Sequence, residues 1–367
     1  MMRGYFWESE DMKALYVAST EPHSGKSGVV LCLGIKLKEQ GLQVGFMKPL
    51  STLPAKMEGV SIDEDAYFTW KSLECDYPLE LVSPVALSSR FIEDSLQEKA
   101  GQRSGSVSAA FDKISKDKDV VLLEGAGCLH QGRLLGMSAP EAAKQLNAEV
   151  LLVAKAQSDL IVDEILMAKD VFGNRLDGVI FNSVPHNYMD TCEELIIPTL
   201  AKEGISVFGS IPEDKILLAV TVAEIAEHLN GEVLCAKEKS DELVEAFMVG
   251  AMAQEHALRY FRLKKNKAVI TGGDRADIQL AALETSTKCL ILTGRFQPSP
   301  IVLARAEELG VPMILVDTDT YTAVERMDDL LGRVGWYERR KIERMCRLMK
   351  THVRWPDLYK SMGLSIS

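Results

Sequence analysis

Gly25-Lys26-Ser27 is where the chemistry of the chain is densest. An ammonium at Lys26 can meet phosphate oxygens, and a hydroxyl at Ser27 can ligate Mg²⁺. The residues before them, Ser19-Thr20-Glu21-Pro22-His23-Ser24, are mostly small or polar, and they follow a β-rich apolar run over 15–18. A helical pattern over 29–40 comes after, closed by Gly41. Strand, turn and helix in that order make a phosphate-binding loop: backbone N–H groups converge on one concavity, and the helix adds its positive N-terminus. Thr20 stands where the common form of such a loop has its first glycine.

Phosphate charge calls for a metal, a metal calls for carboxylates, and a base needs a hydrogen-bonding edge. Val120-Val121-Leu122-Leu123-Glu124 reads as a strand ending in a carboxylate, with Gly125-Ala126-Gly127 permitting close approach. Glu124 is thus a candidate metal ligand, the alternative being a solvated strand-end acid. Lys48, after a strand over 44–47, is either a phosphate contact or a surface lysine. Asp63 and Asp65 precede a helix, where they can serve a metal or act as cap and dipole partners. Asn182 closes a strand over 178–181, and its amide suits either a purine edge or a turn.

These side chains need a scaffold that gathers strand ends. Runs over 15–18, 44–47, 120–123, 150–153, 178–181 and 207–209 are β-rich and mostly separated by helical patterns, which predicts an α/β fold with a parallel sheet covered by helices. In such sheets ligands sit at the carboxyl ends of the strands. The composition turns polar over 229–241, and a second alternation follows: helix 243–260, strand 268–270, helix 278–286, strand 289–292, helix 301–309, strand 313–316 and helix 320–331. The expected organisation is an extension over 1–11, a nucleotide-binding domain over 12–228, a smaller α/β domain over 229–332 and a basic tail over 333–367.

A length of 367 residues with 47% hydrophobic content can fill two cores. The net charge of −11 offers no electrostatic footprint for nucleic acid or an anionic membrane. No run approaches about 18 apolar residues, and the first eleven residues are too acidic for a signal peptide, so the expected location is cytoplasmic. Seven cysteines without a C-x-x-C pair and six dispersed histidines predict neither a disulfide framework nor a thiolate or imidazole metal site. The cysteines read as small buried hydrophobes, and any metal should be Mg²⁺ held by oxygen.

In sequence order, 19–27, Lys48-Pro49, Asp65-Ala66, 123–127, 178–182 and 209–212 together resemble dethiobiotin synthetase, over about residues 12–228. The resemblance implies a P-loop NTPase-type domain with an ATP site. Thr20, His23, Ser24, Gly25, Lys26, Ser27 and Gly28 would cradle the phosphates, and Lys26 and Lys48 would be catalytic, Lys48 on the transferred group. Ser27, Asp65 and Glu124 would hold Mg²⁺; Asn182 would lie near adenine, with Pro212 bordering the base pocket.

Further on, 249–252, 270–275, 292–294 and 319–322 resemble the DRTGG domain, which follows a dethiobiotin-synthetase-like domain in long-form phosphate acetyltransferase. In that family the two domains form an N-terminal, largely regulatory portion, and a further C-terminal domain transfers acetyl groups, so acetyl transfer is not expected of this chain. Arg295 stands where the family usually has glycine; with Arg275 it either binds an anion or stays at the surface.

Three functions follow. The first is a homodimeric regulatory or sensory protein that binds Mg²⁺ and ATP, hydrolyses ATP weakly if at all, and reads a small metabolite or protein partner through its second domain. The second is an ATP-dependent carbon–nitrogen ligase that activates a carboxylate or carbamate for capture by an amine. The third gives the basic tail the leading role, docking an acidic partner.

Overall fold

Six apolar runs pair in parallel in the order Val207–Pro212, Leu176–Val184, Glu149–Ala154, Lys13–Ser19, Val120–Glu124 and Val44–Met47. They are near-continuous in Val, Leu and Ile because the sheet is covered on both faces: Val120 through Leu123 and Val150 through Val153 are fully buried. Register places Val17 beside Glu124, so the segment entering the phosphate loop and the candidate metal carboxylate leave the sheet side by side. Each run anticipated from sequence is a strand here, several of them a residue or two longer. The structure, a computed structural model, describes residues 12–97, 104–331 and 339–364; the extension expected over 1–11 lies outside them.

Contacts divide the chain into two units. The first comprises Met1–Glu213 and Trp336–Ser367, and the second Asp214–Gly335. This division falls before 214–228, a segment the sequence reading attached to the first domain. The reason lies in the packing: Val220, Val222, Ile225, Ala226 and Leu229 are buried with Ala268, Ile270, Ile291 and Ile314 of the second unit's core.

The basic tail is likewise not a separate appendage. Its helix Arg339–His352 buries Met345, Leu348 and Met349, the apolar stripe of an amphipathic helix, and packs on helix Lys26–Glu39 of the first unit. Cys346 on it is joined by a disulfide to Cys32, which corrects the reading of all the cysteines as simple hydrophobes. Beyond the helix, Arg354 N–H donates to the Phe208 carbonyl at 2.7 Å and Val353 bridges Gly209, so this C-terminal arm covers part of an exposed sheet edge.

In the second unit a five-stranded sheet runs Glu232–Cys235, Met313–Leu315, Thr287–Thr293, Lys267–Gly272 and Ala246–Val249; the first pair is antiparallel and the rest parallel. The helix expected over 243–260 is instead two short strands, Leu243–Val244 and Ala246–Val249, followed by helix Gln254–Phe261. The run from Leu243 to Val249 is short and apolar, a pattern compatible with either state. Parallel pairing of Ala246–Val249 with Lys267–Ile270 decides it. Strand Glu232–Cys235 lies within the stretch read as a polar linker.

Candidate phosphate-binding site

Helix Lys26–Glu39 begins directly after Gly25, which takes a left-handed φ of 86° and leaves the helix without a side-chain cap. The first backbone N–H groups of a helix have no intrahelical acceptor, so these remain available for an anion. Asn182, from the end of strand Leu176–Val184, donates its side-chain amide to the Ser24 carbonyl at 2.8 Å and occupies the space where a Cβ on Gly25 would project. The sequence reading gave that amide to adenine; in the structure it braces the loop. Thr20 and Ser24 each keep a buried hydroxyl with no hydrogen-bond partner. His23 is exposed at the outer bend of the loop, with φ 55°, and Gly28 is buried in the first helical turn.

Lys26 is buried, and its Nζ donates to Ser19 Oγ at 2.9 Å. Ser19 Oγ lies in turn 3.0 Å from the Gly127 carbonyl, tying the loop to the glycine turn after Glu124. Burial lowers the Lys26 ammonium to about 8, opposed by the Glu124 charge.

Four further groups meet beside the loop. Ser27 Oγ lies 2.8 Å from both Asp65 Oδ2 and Glu124 Oε1. Lys48 Nζ sits 2.8 Å from Asp63 Oδ2, 2.9 Å from Asp65 Oδ2 and 3.2 Å from Glu124 Oε1. Burial works against the Lys48 charge, but Glu124, Asp65 and Asp63 outweigh it and hold the ammonium well above its ordinary value. Glu124 is 1% exposed, and burial pushes its carboxyl up to about 7, Lys48 opposing and Asp65 adding to the rise. Asp65 behaves oppositely: burial alone would raise it, yet the charge and hydrogen bond of Lys48, helped by Ser27, hold it down at about 2.

The structure therefore brings Lys26, Ser27, Lys48, Asp65 and Glu124 together, with Asn182 on the loop. Pro212 ends the edge strand Val207–Pro212, in register with Val184, two residues beyond Asn182. Asp63 deserved more weight than the sequence reading gave it. Its carboxylate accepts from Ser51 Oγ, Thr52 N–H and Leu53 N–H as well as meeting Lys48, so a hairpin over 54–63 carries the lysine's buried counter-ion. Gln131, which accepts the Gly127 N–H at 2.7 Å, was not singled out at all; nothing in its local sequence marks it.

A family model described as an AAA domain (AAA_26) matches residues 13–221, and the DRTGG domain model matches residues 224–330. Among curated relatives, phosphate acetyltransferase of Synechocystis sp. is 24% identical over 359 residues, covering 93% of this chain and 50% of that protein. Phosphate acetyltransferase of Pseudomonas aeruginosa is 25% identical over 377 residues, covering 96% and 52%. The chain spans about half the length of these relatives.

Two solved structures are also similar in part. Cobyrinic acid a,c-diamide synthase from Mycobacterium smegmatis, with bound ATP analog and magnesium, shares 15% identity at a TM-score of 0.35, over 55% of this chain and 85% of that one. The CBS and DRTGG domains of Clostridium perfringens pyrophosphatase, complexed with diadenosine tetraphosphate, share 25% identity at a TM-score of 0.29, over 34% and 53%. Likenesses at these scores do not say what this chain binds. The AAA_26 match spans more than half of the residues, and the chain belongs to that AAA domain family, with a DRTGG domain following.

Proposed function

We propose that the chain binds ATP together with Mg²⁺ at the Thr20–Gly28 loop, and that it works as a regulatory or sensory module of the phosphate acetyltransferase N-terminal type rather than as an acetyl-transferring enzyme. The observation that carries this reading is the convergence of Lys26, Ser27, Lys48, Asp65 and Glu124 beside an uncapped helix N-terminus.

Charge balance supports the metal. Two buried ammonium groups face three carboxylates, so the cluster does not by itself attract a polyphosphate. A divalent cation reverses that sign. The donor set suits Mg²⁺: Ser27 Oγ, Asp65 and Glu124 supply only oxygen, and Glu124 Oε2 is buried with no hydrogen-bond partner. When bound, Mg²⁺ would neutralise phosphate charge. Lys26 would exchange Ser19 for a phosphate oxygen, and Lys48, held by Asp63, would stand over the outermost phosphate.

Support for regulation over turnover comes from how fully the polar groups are engaged. Asp65 and Glu124 are committed to Lys48 and Ser27, so neither is free as a general base for water. The test is calorimetric titration with ATP, GTP and a non-hydrolysable ATP analogue, with and without Mg²⁺, alongside a phosphate-release assay. The expected result is Mg²⁺-dependent ATP binding with negligible release, weakened roughly 10- to 100-fold by Lys26→Ala, the worth of one charge-assisted hydrogen bond. No binding of any nucleotide by folded protein overturns the site. Rapid phosphate release stimulated by an amine and a carboxylate replaces this reading with the ligase.

A further inference from the structure

Cys32 lies on the helix that starts at the phosphate loop and Cys346 on the C-terminal helix, 314 residues apart in sequence and joined as a disulfide. Cys32 is 2% exposed, whereas Cys346 is half-buried. Both line a cavity of about 300 Å³, walled on one side by Trp355 and bordered by Lys36, Arg347 and Lys350. Glu39 is the carboxylate on its border, and it pairs with Lys36 at 3.2 Å, so Arg347 and Lys350 leave the cavity with excess positive charge. The five other cysteines are unpaired thiols, so this bridge is not part of a disulfide scaffold.

We propose that Cys32–Cys346 is an exchangeable fastener of the C-terminal arm, opened by an anionic low-molecular-weight thiol that docks in this basic cavity. The more exposed sulfur, Cys346 Sγ, is the point of attack. An incoming thiolate forms a bond to Cys346 Sγ, the Cys32–Cys346 bond breaks, and Cys32 leaves as a thiolate that takes a proton from solvent. A second thiol attacks the small molecule's sulfur in that mixed disulfide and releases Cys346 as a thiolate. Two electrons pass from two thiols to the protein, and the oxidised dimer of the thiol is the other product. The neighbouring cations concentrate the anion and stabilise both thiolates. Once opened, the arm is held on the first unit only by burial of Met345, Leu348 and Met349 and by its contacts to Phe208 and Gly209. This proposal stands without the nucleotide site.

The experiment follows disulfide opening in the oxidised full chain by differential alkylation and peptide mass, using glutathione, 2-mercaptoethanol and cysteamine at equal thiolate concentration and low salt. Glutathione is expected to open the bond at least roughly fivefold faster than cysteamine, as attraction by two to three nearby charges allows. Arg347→Glu and Lys350→Glu are expected to abolish or invert that preference. Hydrogen exchange over 339–361 is expected to rise on opening, and in Cys346→Ser, or Cys32→Ala should the first not fold, to be raised already and indifferent to thiol. Alkylation of both cysteines in the unreduced native chain, equal rates for the three thiols, or unchanged exchange in the arm each overturns the proposal.

Discussion

The side-chain amide of Asn182 donates to the carbonyl of Ser24 across 158 residues of sequence, fixing the phosphate loop from the end of a strand two places away in the sheet. The same amide fills the volume beside Gly25, so the loop's left-handed residue has neither the backbone freedom nor the room for a Cβ.

Gly25→Ala should therefore lower stability by about 1–3 kcal/mol and weaken nucleotide binding. Adding Asn182→Ala should recover part of the stability, since it removes the clashing partner but not the strained φ. Thermal unfolding of the two single variants and the double variant reads the coupling; strictly additive losses would show that the two residues do not share this space.

Glu124→Gln removes one of the three carboxylates facing Lys48 while keeping the side chain's shape. Metal-free nucleotide binding should hold or strengthen, and the gain on adding Mg²⁺ should shrink about tenfold, ~1.4 kcal/mol. Titrations at several Mg²⁺ concentrations measure that difference. An equal loss with and without the metal takes Glu124 out of its shell.

Asp177 gives a pH signature. Burial raises its carboxyl to about 7, the Glu149 charge adds to the rise, and the Ser361 hydroxyl on the C-terminal arm only partly offsets it. The folded chain therefore binds this proton more tightly than the unfolded chain does, so stability falls as pH rises from about 4 to about 7 and the cost is complete above that. Asp177→Asn should stabilise the protein at pH 8 by about 1–2 kcal/mol, discounted for solvent screening of a half-buried group, and by almost nothing at pH 4. Denaturant unfolding at the two pH values checks it; a gain of the same size at both would point to packing rather than charge.

Gly209 lies under the C-terminal arm, where a Cβ would collide with the His352 carbonyl and the Val353 backbone. Gly209→Ala should loosen the arm at a cost of about 1–3 kcal/mol. Hydrogen exchange is expected to rise over 339–361 and to stay unchanged in the second unit's sheet. Protection unaltered in the arm would mean that the bridge at Gly209 does not hold it.

The loop was legible because its signal is local: Gly25-Lys26-Ser27 between a strand pattern and a helix pattern needs no distant partner to be recognised. Glu124 and Lys48 were legible by position, each following an apolar run that could only be a strand, and parallel strands deliver their ends to one edge. Other features depend on contacts that sequence spacing does not encode. Cys32 and Cys346 meet only after the arm folds back, and nothing in their flanks announces it. Asp63 and Asp65 look interchangeable in the sequence, yet one is sequestered by Ser51, Thr52 and Leu53 while the other shares Ser27 with Glu124. The stretch from Leu243 to Val249 satisfied two periodicities, and a neighbouring strand settled which one holds.

The disulfide also alters what the chain is covalently. Closing Cys32 onto Cys346 makes a macrocycle that contains the whole of the second unit and most of the first. A protease that cuts one peptide bond anywhere in that ring leaves a single molecule of unchanged mass apart from one added water, and only reduction lets the two pieces part.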